Sequence, residues 1–447
     1  MKYLNTQKVF LLLLFFLCAE RASASYYGRF ISGGFFSKEV FRDSQTDRYN
    51  DVAILSERLF VNFDKIAETN TEFTVDIRDK HNFFDKLNSE RIKLISDNKI
   101  QLDQFNLHSM NSDSPVSYTV GRFPLSEAGS VFVDGVDLGF KQKINSYQTR
   151  FSLFYGLNPE IIDEAEIKFN TNAKVLGGYF LLEQKGSEWE KYLYSVTSLV
   201  QQTYKSETDR LYFYNNTVTQ ASSGQNFSSI LYLELKPKVY VQNFWATYIT
   251  EVTNQFKLRS SVSTVDSLHY SRTQDIREEL PSSRYHQTSI SLRSPSSYNQ
   301  TTYETKITFG LREVDKKNMA EVKFGFFIPQ FIQENLNGTL NIGVKKDFVL
   351  NAAFFGGTVL HSNKMRELSF SQDFQLEKKQ AEKLNLVFIT EGSYTRFFDR
   401  SLFGIVSLQN IWDNKVSIFS VLFKLSYRFG EGGQAPIRDG SPPMGQL

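Results

Sequence analysis

From Phe419 to Phe429 the chain follows a period of two. Phe419, Val421, Phe423, Leu425, Tyr427 and Phe429 share one parity, and Ser420, Leu422, Lys424, Ser426 and Arg428 share the other. Successive side chains of a strand point to opposite faces. One face is therefore wholly apolar and ends in aromatics, while the other is mostly polar. Such a strand is matched to lipid on one side and water on the other.

The same period recurs along the chain. Phe73, Val75 and Ile77 alternate with Thr74, Asp76 and Arg78; Phe151, Leu153 and Tyr155, then Tyr303 to Leu311, Val322 to Ile328 and Leu340 to Val344, alternate with mostly polar neighbours, Phe154 and Phe327 excepted. Regular period-two alternation predicts sheet with one apolar face. The expectation is an all-β fold: one transmembrane antiparallel β-barrel over 25–429, with about 20 strands and a range of about 16–22. The Tyr-rich stretch Tyr192–Thr253 holds three to five of them. A soluble sandwich of this length would split into domains with linkers, and a β-helix would show a short repeat; neither signal is present. The mean hydropathy of -0.34 does not oppose a barrel, because half of each strand is polar. The 41 Phe and 22 Tyr suit interfacial girdles. A net charge of +2 gives no case for a nucleic-acid partner.

The closing Tyr427-x-Phe429 resembles the C-terminal strand signal of Gram-negative outer-membrane β-barrels. That resemblance implies the bacterial outer membrane as location and the barrel-assembly machinery, outer-membrane lipid and lipopolysaccharide as partners. The other end agrees. Lys2 and Lys8 flank an apolar run, Val9 to Ala19, and Ala22-Ser23-Ala24 gives a small-x-small site. Residues 1–24 read as a signal peptide cleaved after Ala24. Cleavage would remove Cys18, the only cysteine, and with it any disulfide. Phe16 and Leu17 before Cys18 do not fit a lipoprotein site. Residues 430–447 are Gly/Pro-rich and read as a tail without a core, hanging in the periplasm or folded back into the lumen; its Arg438 and Asp439 are candidates for contact with the barrel's charged interior or with peptidoglycan.

Polar stretches Lys38–Asp51, Phe84–Asn98, Glu160–Asn172 and Tyr270–Ser283 are expected as extracellular loops, and Glu68–Thr71 and Ser112–Pro115 as periplasmic turns. Parity puts Arg150, Arg259, Lys306, Arg312, Lys323, Lys345, Lys424 and Arg428 on the water side, against Asp76, Glu304, Glu321 and Asp373. Two outcomes stay open. The charges line a pore with a mild preference for anions, or they pair across strands and stiffen the wall.

Gly121-Arg122 and Asp134-Gly135-Val136 flank a loop. The run resembles the Gly-Arg…Asp-Gly-Val stretch of solute-selective porins, including the alginate-export type. That resemblance implies a loop folded into the pore and an arginine, Arg122, facing solute. Arg122 shares parity with Tyr118 and Val120, which places it toward lipid unless Gly121 makes a bulge. A tight turn at Asp134-Gly135 is the plainer alternative.

Glu160, Asp163, Glu164 and Glu166 match no ordered calcium loop. No two of His81, His108, His269, His286 and His361 have metal-ligand spacing, and adjacent His108 and Ser109 fall on opposite faces of a strand. No cofactor, metal or catalytic residue is therefore expected. The reading is a porin-like channel for passive diffusion of small hydrophilic solutes. The alternatives are a closed structural or adhesion barrel acting through loops or tail, or an outer-membrane hydrolase. Oligomeric state is not legible.

Overall fold

The alternating segments pair edge to edge into one closed antiparallel sheet of 22 strands in the computed structural model. The structure describes residues 25–430, apart from 43–46, 65, 67–68, 83–98, 110–113, 160–170, 187–189, 237, 253–255, 267–269, 274–275, 280–283, 296–299 and 380–382. The first strands are β1 (Ser25–Arg42), β2 (Asp47–Asp64), β3 (Thr71–Asn82), β4 (Lys99–Ser109), β5 (Val116–Leu125), β6 (Val131–Ile144), β7 (Tyr147–Leu157) and β8 (Ala173–Lys185). Then come β9 (Glu190–Tyr204), β10 (Glu207–Ala221), β11 (Asn226–Lys236), β12 (Tyr240–Glu251) and β13 (Lys257–Val265). β14 (Tyr270–Thr273) and β15 (Ile276–Glu279) form a separate small hairpin. The barrel resumes with β16 (Tyr285–Arg293), β17 (Thr302–Arg312), β18 (Asn318–Ile328), β19 (Leu336–Lys346), β20 (Leu350–Ser362), β21 (Arg366–Lys379), β22 (Asn385–Phe397), β23 (Leu402–Trp412) and β24 (Val416–Gly430).

Each barrel strand pairs with its sequence neighbours, and β1 closes the ring against β24 from Tyr27↔Gly430 to Phe41↔Val416. Closure leaves no open sheet edge, which a spanning sheet requires because lipid cannot satisfy backbone groups. The rings of Phe429 and Phe423 lie across Gly28 and Gly34, their register partners on β1. Phe429 also joins Tyr26, Leu59 and Phe73 around Val61 and Phe63. The apolar parity of the last strand thus seals the seam.

Side chains on the apolar parity face outward and stay exposed: Leu138 and Phe140, Phe151 and Leu153, Phe309, Val344, Leu368 and Phe370, and Phe423. A closed barrel with an even strand number and an apolar outer belt is built to sit in lipid. It is an outer-membrane β-barrel. With strands ~4.8 Å apart and tilted ~40°, 22 strands give a backbone diameter of roughly 45 Å.

Both ends of the barrel lie at one rim. The three longest connections, 83–98, 158–172 and 266–284, lie at the other. Short turns are periplasmic and long loops extracellular, which orients the molecule. The strand number is 22, close to the expected 20, and Tyr192–Thr253 supplies four strands. Two expected loops differ. Most of Lys38–Asp51 is strand, because β1 and β2 stay paired up to Arg42↔Asp47. Tyr270–Ser283 carries the β14–β15 hairpin. The signal-peptide stretch, loop 84–98, the acidic residues Glu160, Asp163, Glu164 and Glu166, and the tail beyond Gly430 lie outside the described residues.

Candidate functional site

The β5–β6 hairpin leaves the wall. Val116, Val120, Val136, Leu138 and Phe140 are exposed on its outer face. Beyond the Gly121↔Gly135 pair the character reverses: Phe123, Leu125, Ala128, Val131 and Val133 are all buried. They pack on Phe154, Val175, Tyr179, Val196, Val200, Tyr212 and Tyr214. Those wall residues have the parity opposite to exposed Leu153, Leu176 and Leu199, so they face inward. The hairpin tip therefore lies inside the barrel against the inner wall of β7–β10. A single 3-10 turn, Ser126–Ala128, closes it. Tyr212 OH donates to the Ala128 carbonyl at 3.0 Å, and Tyr232 OH donates to the Gly129 carbonyl at 2.7 Å.

Two glycines allow the bend. Gly121 has φ +121°, which a side chain disfavours. A Cβ at Gly135 would collide with the Tyr155 carbonyl and come within 2.6 Å of the Gly156 Cα. As β5 turns inward it abandons β4: the two pair only from Phe105↔Arg122 to His108↔Thr119. Arg122 stitches the departure point. Its Nε and Nη2 donate to the Asp134 carboxylate, both at 2.6 Å, and Nη1 donates to the Leu102 carbonyl at 3.2 Å. Asn106 donates back to the Arg122 carbonyl at 3.1 Å. The parity Arg122 shares with Val120 points to lipid; the bend at Gly121 takes Arg122 inside, with a side chain only 7% exposed. The run is thus an infolded hairpin rather than a simple turn at Asp134-Gly135.

The other named charges sort by partner. Arg150 donates to Asp137 at 2.6 Å, and Ser152 and Tyr179 bind the same carboxylate at 2.5 and 3.0 Å. Arg312 pairs with Asp315 in the turn after β17, and Lys345 pairs with Asp347 at 2.7 Å, so both are tied down at the extracellular rim. Among the described residues Arg259, Lys306, Lys323 and Lys424 form no ion pair. Lys306 and Lys323 are direct cross-strand partners on the inner face, and Arg259 reaches Lys306 through Ser291 in the same register row.

Register also assembles cations that parity alone did not group. Arg29 pairs directly with Arg428, and Arg58 with Arg78, all on the inner face. Arg58 binds Asp76, and Arg78 lies 3.2 Å from Asp103. Arg29 donates to Ser426 at 2.8 Å and stays within Coulombic reach of Arg428 and Arg58. Lys424 lies in the same field. Adjoining strands β21 and β22 place Glu367, Asp373, Glu377 and Glu391 on the inner parity. The signal for this grouping was like charge on facing positions, which no local window of sequence displays.

Histidines fall on separate sites. His108 meets Glu72 at 2.9 Å, His81 meets Asp79 at 3.0 Å, and His286 meets Glu313 at 2.7 Å. His108 and Ser109 do point to opposite faces, since Glu72 opposes the first and Thr71 the second. Among the described residues no group of three His, Cys, Asp or Glu is placed to hold a metal.

No known family model matches the chain, and no curated protein matches it. Solved structures similar to it include the translocation pore of the P pilus usher PapC, at 8% identity and TM-score 0.43, over 90% of this chain and 99% of that one. Another is Pseudomonas aeruginosa OpdO, at 9% identity and TM-score 0.44, over 91% and 97%. A third is Acinetobacter baumannii OccAB4, at 9% identity and TM-score 0.41, over 91% and 98%.

Proposed function

We propose that this protein is a passive outer-membrane channel for small hydrophilic solutes, with a weak preference for anions. The observation that carries the reading is the infolded β5–β6 hairpin. Stacked on the wall, a two-stranded layer occupies ~10 Å of a lumen roughly 45 Å across between backbones. It narrows the passage from one side and leaves the facing wall, β13 and β16–β24 with β1–β3, to meet solute. That wall carries Arg29, Arg259, Lys306, Lys323, Lys424 and Arg428, none of them with a carboxylate at ion-pair distance among the described residues. Like charges set opposite one another are mutually unfavourable, so the Lys306–Lys323 and Arg29–Arg428 pairs gain from a mobile anion beside them. Glu304 and Glu321, on the same inner parity two residues from Lys306 and Lys323, and the acidic residues of β21 and β22 offset part of that field, which keeps the preference weak.

Arg122, Arg150, Arg312 and Lys345 play a different part. Each is held by a carboxylate, which favours wall and hairpin support over contact with solute. The test is single-channel recording with purified barrel in a planar bilayer. A stable open conductance and a reversal potential of anion-selective sign in a salt gradient are expected. A barrel that inserts and conducts nothing would favour the closed structural reading.

A further inference from the structure

The outer wall carries a charge arrangement that the channel does not use. Arg366 and Arg396 are direct partners across β21 and β22. They share the parity of exposed Leu368, Phe370 and Tyr394, so both side chains leave the barrel on its lipid side. Two like charges facing each other oppose the strand pairing that holds them. Among the described residues neither has a carboxylate at ion-pair distance. The guanidinium of Arg396 lies over the Phe398 ring, 5.3 Å from its centre.

A third cation is brought to the same place by the turn that precedes β21. Asn363 Oδ1 accepts the backbone N–H groups of Met365 and Arg366, each at 2.9 Å. The turn is pinned further by Phe397 N–H to the Met365 carbonyl at 2.8 Å. Lys364 is thereby fixed beside the arginines. A cavity of about 530 Å³ lies among Asn363, Lys364, Met365, Arg366, Tyr394 and Arg396.

Position identifies the occupant. This turn belongs to the rim where β1 begins and β24 ends, the periplasmic rim by the length of its turns. One register step into the membrane the outer face becomes Leu368, Tyr394 and Val406, all exposed. Cations therefore stand at headgroup level with an apolar strip directly beneath them. A soluble anion would use only the cations; a lipid uses both.

We propose that Lys364, Arg366 and Arg396 bind the phosphate of an anionic phospholipid in the periplasmic leaflet, its acyl chains lying along Leu368, Tyr394 and Val406. Basic pockets at membrane rims bind anionic headgroups in this way. Native mass spectrometry of the full-length barrel, titrated with phosphatidylglycerol or phosphatidylcholine of matched chains, tests it. Retention of phosphatidylglycerol at least roughly tenfold above phosphatidylcholine is expected, given three cations at the surface. Arg366→Gln with Arg396→Gln should abolish the preference, and the double lysine variant should keep most of it. Equal retention of the two lipids by the unaltered barrel would overturn the proposal without recourse to any variant. So would an undiminished preference in the glutamine variant. Displacement of the lipid by inorganic phosphate alone would assign the site to a soluble anion instead. None of these outcomes depends on whether the lumen conducts.

Discussion

Val133 tests whether the hairpin sets the width of the passage. It has no exposed surface and sits between the hairpin and the inner wall. Val133→Ala removes buried methyl groups from the contact, about 2 kcal/mol. Tyr212→Phe removes one hydrogen bond to Ala128, about 1 kcal/mol. Val133→Asp loses the burial and sets a carboxylate among apolar side chains, where effective desolvation alone costs several kcal/mol, so its total exceeds about 5 kcal/mol. Each 1.4 kcal/mol shifts a two-state ratio tenfold. The ratio of released to docked hairpin should therefore rise ~5-fold in Tyr212→Phe, ~30-fold in Val133→Ala and more than ~1000-fold in Val133→Asp. The assay is single-channel conductance together with the size of neutral polymer that still enters the pore. Time spent in a larger-conductance state should follow that order. Heat-modifiable mobility on gels checks that the barrel has folded. A folded Val133→Asp barrel with the conductance and polymer cut-off of the unaltered protein would show that the docked hairpin does not limit the passage.

Three further outcomes are expected. Lys306→Glu with Lys323→Glu replaces a facing pair of inner cations by anions, so the reversal potential should move toward cation preference; no movement would mean that solute does not approach this row. Phe429→Asp removes the ring that covers Gly28 and packs with Val61 and Phe63. Losing the packed ring costs about 3 kcal/mol and a charge near the interface only about 0–1 kcal/mol more, so loss of assembled barrel well beyond that sum would point to failed recognition, and normal membrane levels would count against an insertion signal here. In the extracellular turn 313–317, the hydrogen bond with His286 lowers the Glu313 carboxyl and the bond from Arg312 lowers that of Asp315. Their stabilisation is complete above the unfolded carboxylate value of ~4 and is lost as pH falls through the lowered folded values. Hydrogen exchange in this turn, corrected for intrinsic rates, should quicken as pH falls below ~4; no quickening between about pH 4 and 2 would contradict the assignment.

Strand parity was legible because it is local: each residue's face depends only on its neighbours in sequence. That suffices for the outer belt of β24 and for the inward placement of Lys306, Lys323 and Lys424. It fails where function depends on what lies across the sheet. Arg29 and Arg428 are about 400 residues apart, and only closure of β1 on β24 sets them side by side. Arg122 fails for another reason. Parity assumes an extended chain, and Gly121 breaks that assumption with a backbone angle no alternation can report. The infolding did leave one trace in the sequence. Phe154, Val196, Val200, Tyr212 and Tyr214 are apolar or aromatic on positions that a water-filled lumen would make polar. Strands apolar on both faces must be covered on both faces. With lipid on one side, the second cover has to come from the chain itself. The β5–β6 hairpin, flanked by Gly121 and Gly135 and carrying Phe123, Leu125, Val131 and Val133, supplies an apolar face of matching size. A doubly apolar run of wall strands in a barrel sequence is thus a physical signature of an inward-folded segment, and here it marks β7–β10 as the side from which the passage is narrowed.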